Sequence, residues 1–417
     1  MRLLIALVSY VVFVLALPFL LLHPKMRDGF WQRLGFGLPA LPAREGAARI
    51  WLHGASAGDV LALRPLAHEL RAQVGQVQII VTTITNSGRE MARRMGTSFD
   101  VALYAPLDLP GPVHRIYGHI RPDVLVLEYT ELWPQLIFAA ARRKLPLVLH
   151  NGRFAAQNLG RYRFFFRIFG NLLTHFSLLL MRDEIEADRA RTLGAPGEHI
   201  RVTGNTKFDN MRAQPAPSVL DEMREVAAVP HDGIVWVAGS THEGEEELLF
   251  DIFASLRARY PKLYLLVAPR YVERADTVTD KARARALTVR RRSAGRGPAV
   301  DVLVVDTIGE LAACYALADV VFVGGSFVTR GGQNILEPAA AGKAVLFGPH
   351  MENFSDAVRL LLGRGGIQVS SPAQLEEVLV DLLARPQYRR ELGDLGRTQV
   401  FSMQGTAARN AALIATL

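Results

Sequence analysis

Glycines crowd one stretch of this 417-residue sequence: Gly324-Gly325-Ser326-Phe327, then Gly331-Gly332-Gln333-Asn334-Ile335-Leu336-Glu337-Pro338, then Gly342 and Gly348-Pro349. Glycine directly after an apolar run lets backbone approach a phosphate, and a helix starting near Asn334 would add free N–H groups and a positive dipole end. Glu337, one turn further on, is placed to accept hydrogen bonds from the two hydroxyls of a ribose. Tight turns with a dipole-favoured carboxylate would use the same residue types. So many glycines beside Asn and Glu favour nucleotide binding, with Asn334, Ile335, Leu336 and Glu337 at its centre.

Two further loops follow apolar runs in the same half. Ala268-Pro269-Arg270 ends Tyr264 to Val267, and Asp306-Thr307-Ile308-Gly309-Glu310 ends Val302 to Val305. In a parallel sheet both face one crevice. Arg270 there could grip a donor phosphate with its guanidinium fork, and Ile308, Gly309 and Glu310 could cradle base or phosphate at a helix start. A surface ion pair of Arg270 with Glu273, and an N-cap at Asp306-Thr307, are the plainer alternatives. Ser240-Thr241-His242-Glu243-Gly244-Glu245 reads first as an N-cap with an acidic first turn, Ser240 being a further candidate contact.

The first half offers acid–base chemistry. His53-Gly54-Ala55-Ser56-Ala57-Gly58-Asp59-Val60 leaves a strand and enters a helix. Gly58 is expected to permit close approach, and Asp59 could take a proton from an acceptor hydroxyl, although aspartate is favoured in a first helical turn for electrostatic reasons alone. Lys207, in Asn205-Thr206-Lys207-Phe208-Asp209, could neutralise a leaving phosphate; an ordinary solvated lysine is the alternative. Arg161-Tyr-Arg-Phe-Phe-Phe-Arg167-Ile-Phe169 mixes cations with aromatics, which suits an anionic membrane surface or acceptor guidance, while core packing explains part of it equally well.

What must position these groups is an alternation of short apolar runs and longer helical patterns, the signature of βαβ units. Strands are expected at Ile50–Leu52, Val77–Thr82, Val124–Leu127, Leu147–Leu149 and Leu178–Met181, then at Val235–Val237, Tyr264–Val267, Val302–Val305, Val320–Val323 and Ala344–Leu346. The Pro-rich stretch 212–218 divides the two sets, giving an acceptor-binding Rossmann-like domain at 25–211 and a nucleotide-sugar-binding one at 219–417 that face a central cleft. Ahead of them Leu3 to Leu22 carries no charge over twenty residues, enough for a helix to cross the bilayer, so 1–24 reads as a membrane anchor. Lys25, Arg27 and Arg33 follow it, placing the remaining chain in the cytoplasm. A net charge of +8 calls for an anionic partner, but no nucleic-acid module accompanies it. One cysteine, Cys314, excludes an intramolecular disulfide and a cysteine-based zinc site.

Taken together the motifs resemble the Kdo transferases, which move 3-deoxy-D-manno-oct-2-ulosonic acid from CMP-Kdo to a lipid A precursor. The carriers are Trp51-Leu-His-Gly-Ala-Ser-Ala-Gly-Asp59, Thr130-Glu-Leu-Trp-Pro134, Asn151-Gly-Arg153, Gly204-Asn-Thr-Lys-Phe-Asp209, Ser240 to Glu245, Pro269-Arg270, Asp306 to Glu310 and Gly324 to Pro338. The resemblance implies a GT-B architecture and a metal-independent, inverting transfer without a cofactor at the inner membrane. By the same resemblance Pro269, Arg270, Ile308, Gly309, Glu310 and Asn334 to Glu337 contact CMP, Asp59 is the general base, and Lys207 stabilises the transition state. Ser240, Ser326 and Glu131 are further candidates.

This sequence departs from the family pattern in having Asp59 for a glutamate, Tyr129 for a glutamate, and Gln333 and Tyr271 for histidines. Glu128, next to Tyr129, is expected to point to the other face of its strand. These departures leave room for a divergent member acting on another activated sugar or lipid, or for a nucleotide- or lipid-binding protein without turnover.

Overall fold

The computed structural model describes residues 10–11, 13–15, 17, 27–211 and 215–417. The expected anchor at 1–24 lies mostly outside them, and the part of the expected linker at 212–214 wholly so. Among the described residues no helix is long and apolar enough to cross a membrane.

The chain forms two compact units, one reaching to Asn210 and joined by Met403–Leu417, the other Met211–Ser402. In the first, β1 (Ala48–His53), β2 (Val77–Thr83), β3 (Val101–Tyr104), β4 (Val124–Glu128), β5 (Leu147–Gly152), β6 (Leu178–Met181) and β7 (Ile200–Val202) pair in the order β3-β2-β1-β4-β5-β6-β7. Every pairing is parallel. The second unit repeats the plan with β8 (Ile234–Thr241), β9 (Leu263–Pro269), β10 (Val289–Arg291), β11 (Val302–Val304), β12 (Val320–Val323), β13 (Ala344–Phe347) and β14 (Gly366–Gln368), in the order β10-β11-β9-β8-β12-β13-β14. Central strands are buried on both faces, so they read as continuous apolar runs rather than alternations. Trp51 on β1 and Trp236 on β8 are fully buried anchors of the two cores.

In each sheet the strand order reverses beside the first strand, between β1 and β4 and between β8 and β12. Loops at the carboxyl ends of strands flanking such a reversal open a crevice; Asp59, Glu131, Ser240 and the run Gly324 to Glu337 stand at those ends, while Arg270, Ile308 and Lys207 follow the ends of β9, β11 and β7. Helix Ala57–Val74 follows β1 and buries Leu63, Leu66 and Leu70 against the sheet. The same core takes in Ala411 and Ile414 of the last helix, Thr406–Ile414, although the sequence reading ran the second domain through to Leu417. Asp209 holds that helix by accepting hydrogen bonds from the backbone N–H of Gly405 at 2.6 Å and Ala407 at 2.8 Å.

Candidate active site

In the first unit, β1 delivers His53 and then turns into helix Ala57–Val74 through Ser56, its N-cap. Asp59 lies three residues into the turn, and its Oδ2 accepts from the Ser56 backbone N–H at 2.8 Å and from the Ser56 hydroxyl at 3.0 Å. This is a capping box, so part of the reason for an acid at this position is helix initiation. Oδ1 makes no hydrogen bond among the described residues and remains available. Close approach is granted by Gly54 rather than Gly58: a Cβ on Gly54 would sit 2.9 Å from the Asp59 Cβ, whereas one on Gly58 would meet only the Ser56 hydroxyl at 3.8 Å.

Lys207 follows β7 in a turn, with its ammonium 5.5 Å from the centre of the Tyr129 ring. Crowding by protein lowers its pKa, the Arg182 and Arg153 charges add to that, and Glu128 and Asp59 oppose it. Asp59, Lys207, Tyr129, Glu128, Arg153 and Arg182 therefore lie within electrostatic reach of one another. Tyr129 and Asn151, at the ends of β4 and β5, adopt left-handed backbone with φ of 53° and 52°. Such backbone is uncommon for tyrosine, and strain of this kind gathers at functional sites. The Tyr129 hydroxyl is buried without a hydrogen-bond partner among the described residues, and burial first, then the Glu128 charge, pushes its pKa up. Glu131 accepts from the Trp133 indole at 2.7 Å and lies 3.6 Å from His53 Nε2. Burial would raise its pKa, but the His53 and Trp133 contacts outweigh that and hold it below the ordinary carboxylate value.

In the second unit Ser240, Pro269, Arg270, Thr307, Ile308 and Gly309 line one pocket of about 310 Å³ at the ends of β8, β9 and β11. Ile308 is 87% exposed at its rim, an unusual position for an aliphatic side chain unless something covers it. Arg270 makes no ion pair with Glu273 or any other described residue, and its guanidinium lies 5.7 Å from the Tyr271 ring centre. A cation held at a pocket without a counter-charge suits a phosphate. Ser240 takes left-handed backbone at φ 56°. Burial first, then the Glu337 charge, pushes the hydroxyl pKa of Tyr315, fully buried behind it, well up, with Ser240 opposing. That packing requires Gly239, where a Cβ would fall 2.2 Å from the Tyr315 hydroxyl.

Several expected contacts are otherwise engaged. The Glu310 carboxylate receives Arg292 at 2.6 Å and 3.1 Å and also the Thr307 hydroxyl, leaving chiefly its backbone to a ligand. Ser326 is fully buried, donating to the Val323 carbonyl at 2.6 Å and accepting from Gly348 N–H at 2.8 Å. The helix expected near Asn334 begins at Leu336 and runs only to Ala340, so its dipole is short. Ile335 and Leu336 turn their side chains into the core. Asn334 donates to Glu337 at 2.9 Å and accepts from Leu336 N–H at 3.1 Å. Solvent reaches Glu337, yet the surrounding protein raises its pKa while the Asn334 bond opposes that.

The anion read into Gly324-Gly325-Ser326-Phe327 is present, and it belongs to the protein. Glu245, fully buried, accepts from the backbone N–H groups of Gly325 (2.7 Å), Ser326 (3.0 Å), Phe327 (2.9 Å) and His242 (2.9 Å). The loop is thus a nest closed by its own carboxylate, and it cannot also take a phosphate. Sequence reasoning read Glu245 as part of an acidic first turn; the signal that would have found it is a glycine pair lacking any other reason to follow β12. His242, whose backbone N–H joins this nest, stands 3.3 Å from the Gln333 amide nitrogen and edge-on to Tyr271 at 5.7 Å. Burial lowers the His242 pKa, the Arg330 and Arg270 charges assist, and Glu245 and Glu246 oppose. Among the described residues no group of three or more metal-ligating side chains converges.

Two doubly wound parallel sheets, the second with a pocket at the ends of β8, β9 and β11, define a two-unit Rossmann-like protein of the GT-B-like class. Solved structures of that fold include UDP-GlcNAc 2-epimerase from Neisseria meningitidis bound to UDP-GlcNAc, at a TM-score of 0.60 and 14% identity over 88% of this chain and 99% of that one. Another is a glycosyltransferase from Rickettsia africae, at a TM-score of 0.61 and 10% identity over 89% and 98%. At these identities the likeness is one of fold. Residues 28–210 match the family described as 3-deoxy-D-manno-octulosonic-acid transferase (kdotransferase). The 3-deoxy-D-manno-octulosonic acid transferase of Haemophilus influenzae is 34% identical over 391 residues, 93% of this chain and 90% of that protein. Its counterpart from Bordetella pertussis is 31% identical over 378 residues, 87% and 86% of the two chains. The chain belongs to the Kdo transferase family and is a glycosyltransferase.

Proposed function

We propose that this enzyme transfers Kdo from CMP-Kdo to a lipid A precursor at the cytoplasmic face of the inner membrane, by a metal-independent, inverting displacement. The observation that carries the reading is the second unit's pocket of about 310 Å³, where Pro269, Arg270, Ile308 and Gly309 gather around an unpaired guanidinium. Its apolar walls suit a pyrimidine and ribose, and Arg270 suits the phosphate. Asn334 and Glu337 are assigned to the same nucleotide, Glu337 through its accepting oxygens. In the first unit Asp59 Oδ1 takes the proton from an acceptor hydroxyl as that oxygen bonds to the anomeric carbon of Kdo. The bond from that carbon to the phosphate oxygen breaks, and the electron pair leaves with CMP. Arg270 and Lys207 supply the positive charge that developing phosphate charge requires.

The uncharged run Leu3 to Leu22 is assigned as the anchor, with Lys25, Arg27 and Arg33 on the cytoplasmic side. Helix Leu159–Phe169 supports the membrane reading, because Phe164 and Ile168 are 64% and 44% exposed one turn apart. Arg161, Arg163 and Arg167 beside them make no ion pair among the described residues, and the helix holds no acid. Incubation of the full chain with CMP-Kdo and a lipid A precursor, followed by mass spectrometry of the lipid, tests the reaction; a Kdo-bearing product is expected. Donor binding without transfer would overturn it in favour of a divergent member acting on another activated sugar or lipid. The Asp59 capping box and the Tyr129 side chain beside Lys207 are the features that favour that second reading.

A further inference from the structure

Glu128 ends β4 as a fully buried carboxylate, and it is not isolated. Its side chain receives the Asn151 amide at 2.7 Å and the His150 ring Nδ1 at 2.5 Å, both from β5. The Asn151 amide also donates to the Thr206 hydroxyl at 2.6 Å, and the Asn151 carbonyl oxygen accepts from Thr206 N–H at 3.0 Å. From Thr206 the hydroxyl donates to the Ala62 carbonyl at 3.0 Å, on the helix whose first turn carries Asp59. Lys207 follows directly, its own N–H donated to Asn205 at 3.0 Å. His150, Asn151 and Thr206 are buried as completely as Glu128. One dry polar chain therefore ties the end of β4, the end of β5, the Lys207 turn and the Asp59 helix together. Such a network locks its members, because breaking any link strands a buried polar group.

We propose that Glu128 is a positioning residue: by holding Asn151, and through it Thr206, it sets Lys207 against the helix that carries Asp59. The proposal rests on the roles given above to Lys207 and Asp59. Glu128 lies near enough to Lys207 for its charge to oppose the surrounding cations. The charged or titratable groups that face Lys207 are Arg182 after β6, Arg153 after β5, Glu128 on β4, Asp59 on the helix and Tyr129. Of these, Glu128 is a buried negative charge favouring the protonated lysine, so its loss leaves the cations less opposed.

The test compares wild type with Glu128→Gln, Thr206→Val and Lys207→Ala, measuring kcat, both KM values and the pH profile of kcat for Kdo transfer. Glu128→Gln is expected to lower kcat on the order of tenfold or more, since small misplacements of catalytic groups are costly, with both KM values within about threefold. Its alkaline limb is expected at lower pH than in wild type, because a less opposed Lys207 loses its proton sooner as pH rises. Thr206→Val is expected to lower kcat without moving that limb, a difference that loss of packing would not produce. Wild-type kcat and limb in Glu128→Gln, with Lys207→Ala inactive, overturns the proposal. Unchanged activity in Lys207→Ala instead overturns the reading of Lys207 itself. Should Glu128→Gln fail to fold, Thr206→Val decides: reduced kcat at an unchanged melting temperature supports the positioning role, and wild-type kcat overturns it.

Discussion

Arg270 and Asp108 show opposite fates for a charged side chain. Arg270 reaches the pocket with no counter-charge, and we expect Arg270→Ala to raise the KM for CMP-Kdo by roughly ten- to a hundredfold, the loss of one charge-assisted hydrogen bond. Steady-state kinetics with the nucleotide sugar varied will check this, and an unchanged KM would remove Arg270 from the donor site. Asp108 is half-buried and caps helix Pro134–Arg142 by accepting from Gln135 N–H at 3.0 Å and Leu136 N–H at 2.9 Å. Desolvation nonetheless pushes its pKa up to about 6, against those bonds and the His53 charge. An acid whose folded pKa exceeds its unfolded one binds its proton more tightly when folded, so its contribution is most favourable in acid. It is lost as pH rises from about 4 to about 6, by an amount on the order of 3 kcal/mol. Asp108→Asn should flatten that part of the stability curve, as chemical denaturation at pH 4.5, 5.5 and 7 will show; an unchanged slope would place the responsible group elsewhere.

Among the elements, helix Leu159–Phe169 yields the most direct prediction. In a chain relieved of the assigned anchor 1–24, replacing Phe164 and Ile168 together by aspartate should sharply reduce co-sedimentation with vesicles of phosphatidylglycerol and leave CMP binding unchanged. Equal binding of both proteins would return the helix to an ordinary solvated face. The same scale explains what the sequence made legible. Every strand read from an apolar run is present, and the four that were missed, β3, β7, β10 and β14, are the four sheet edges. An edge strand is short and half-solvated, so β7 (Ile-Arg-Val) and β10 (Val-Arg-Arg) carry too few apolar residues to stand out. That Pro269, Arg270, Ile308 and Gly309 line one pocket was readable, because a loop after a buried strand has one place to go. The tenant of the glycine nest was not, since backbone N–H groups accept a distant carboxylate of the same chain as readily as a phosphate. Nor could spacing reveal that Asp59 commits one oxygen, Oδ2, to Ser56.

At the scale of the molecule, the first unit is assembled from two separated stretches of chain, closed by Met403–Leu417. Deleting those fifteen residues would uncover the apolar face around Leu63, Leu66 and Leu70 and leave Asp209 without its Gly405 and Ala407 donors. The truncated chain is expected to lose transfer and to melt at lower temperature, while its pocket in the second unit still binds CMP. Calorimetry showing one transition unchanged and the other lowered will check this; two unchanged transitions would contradict it.

That discontinuity also orders events during synthesis. The Asp209 clasp draws on Gly405, 196 positions further along, so the first unit cannot close until Met403–Leu417 has been made. All of the second unit, Met211–Ser402, is translated in between. A chain stopped anywhere before Met403 therefore leaves the turn beside Lys207 without its clasp, and the unit that is begun first is the one completed later.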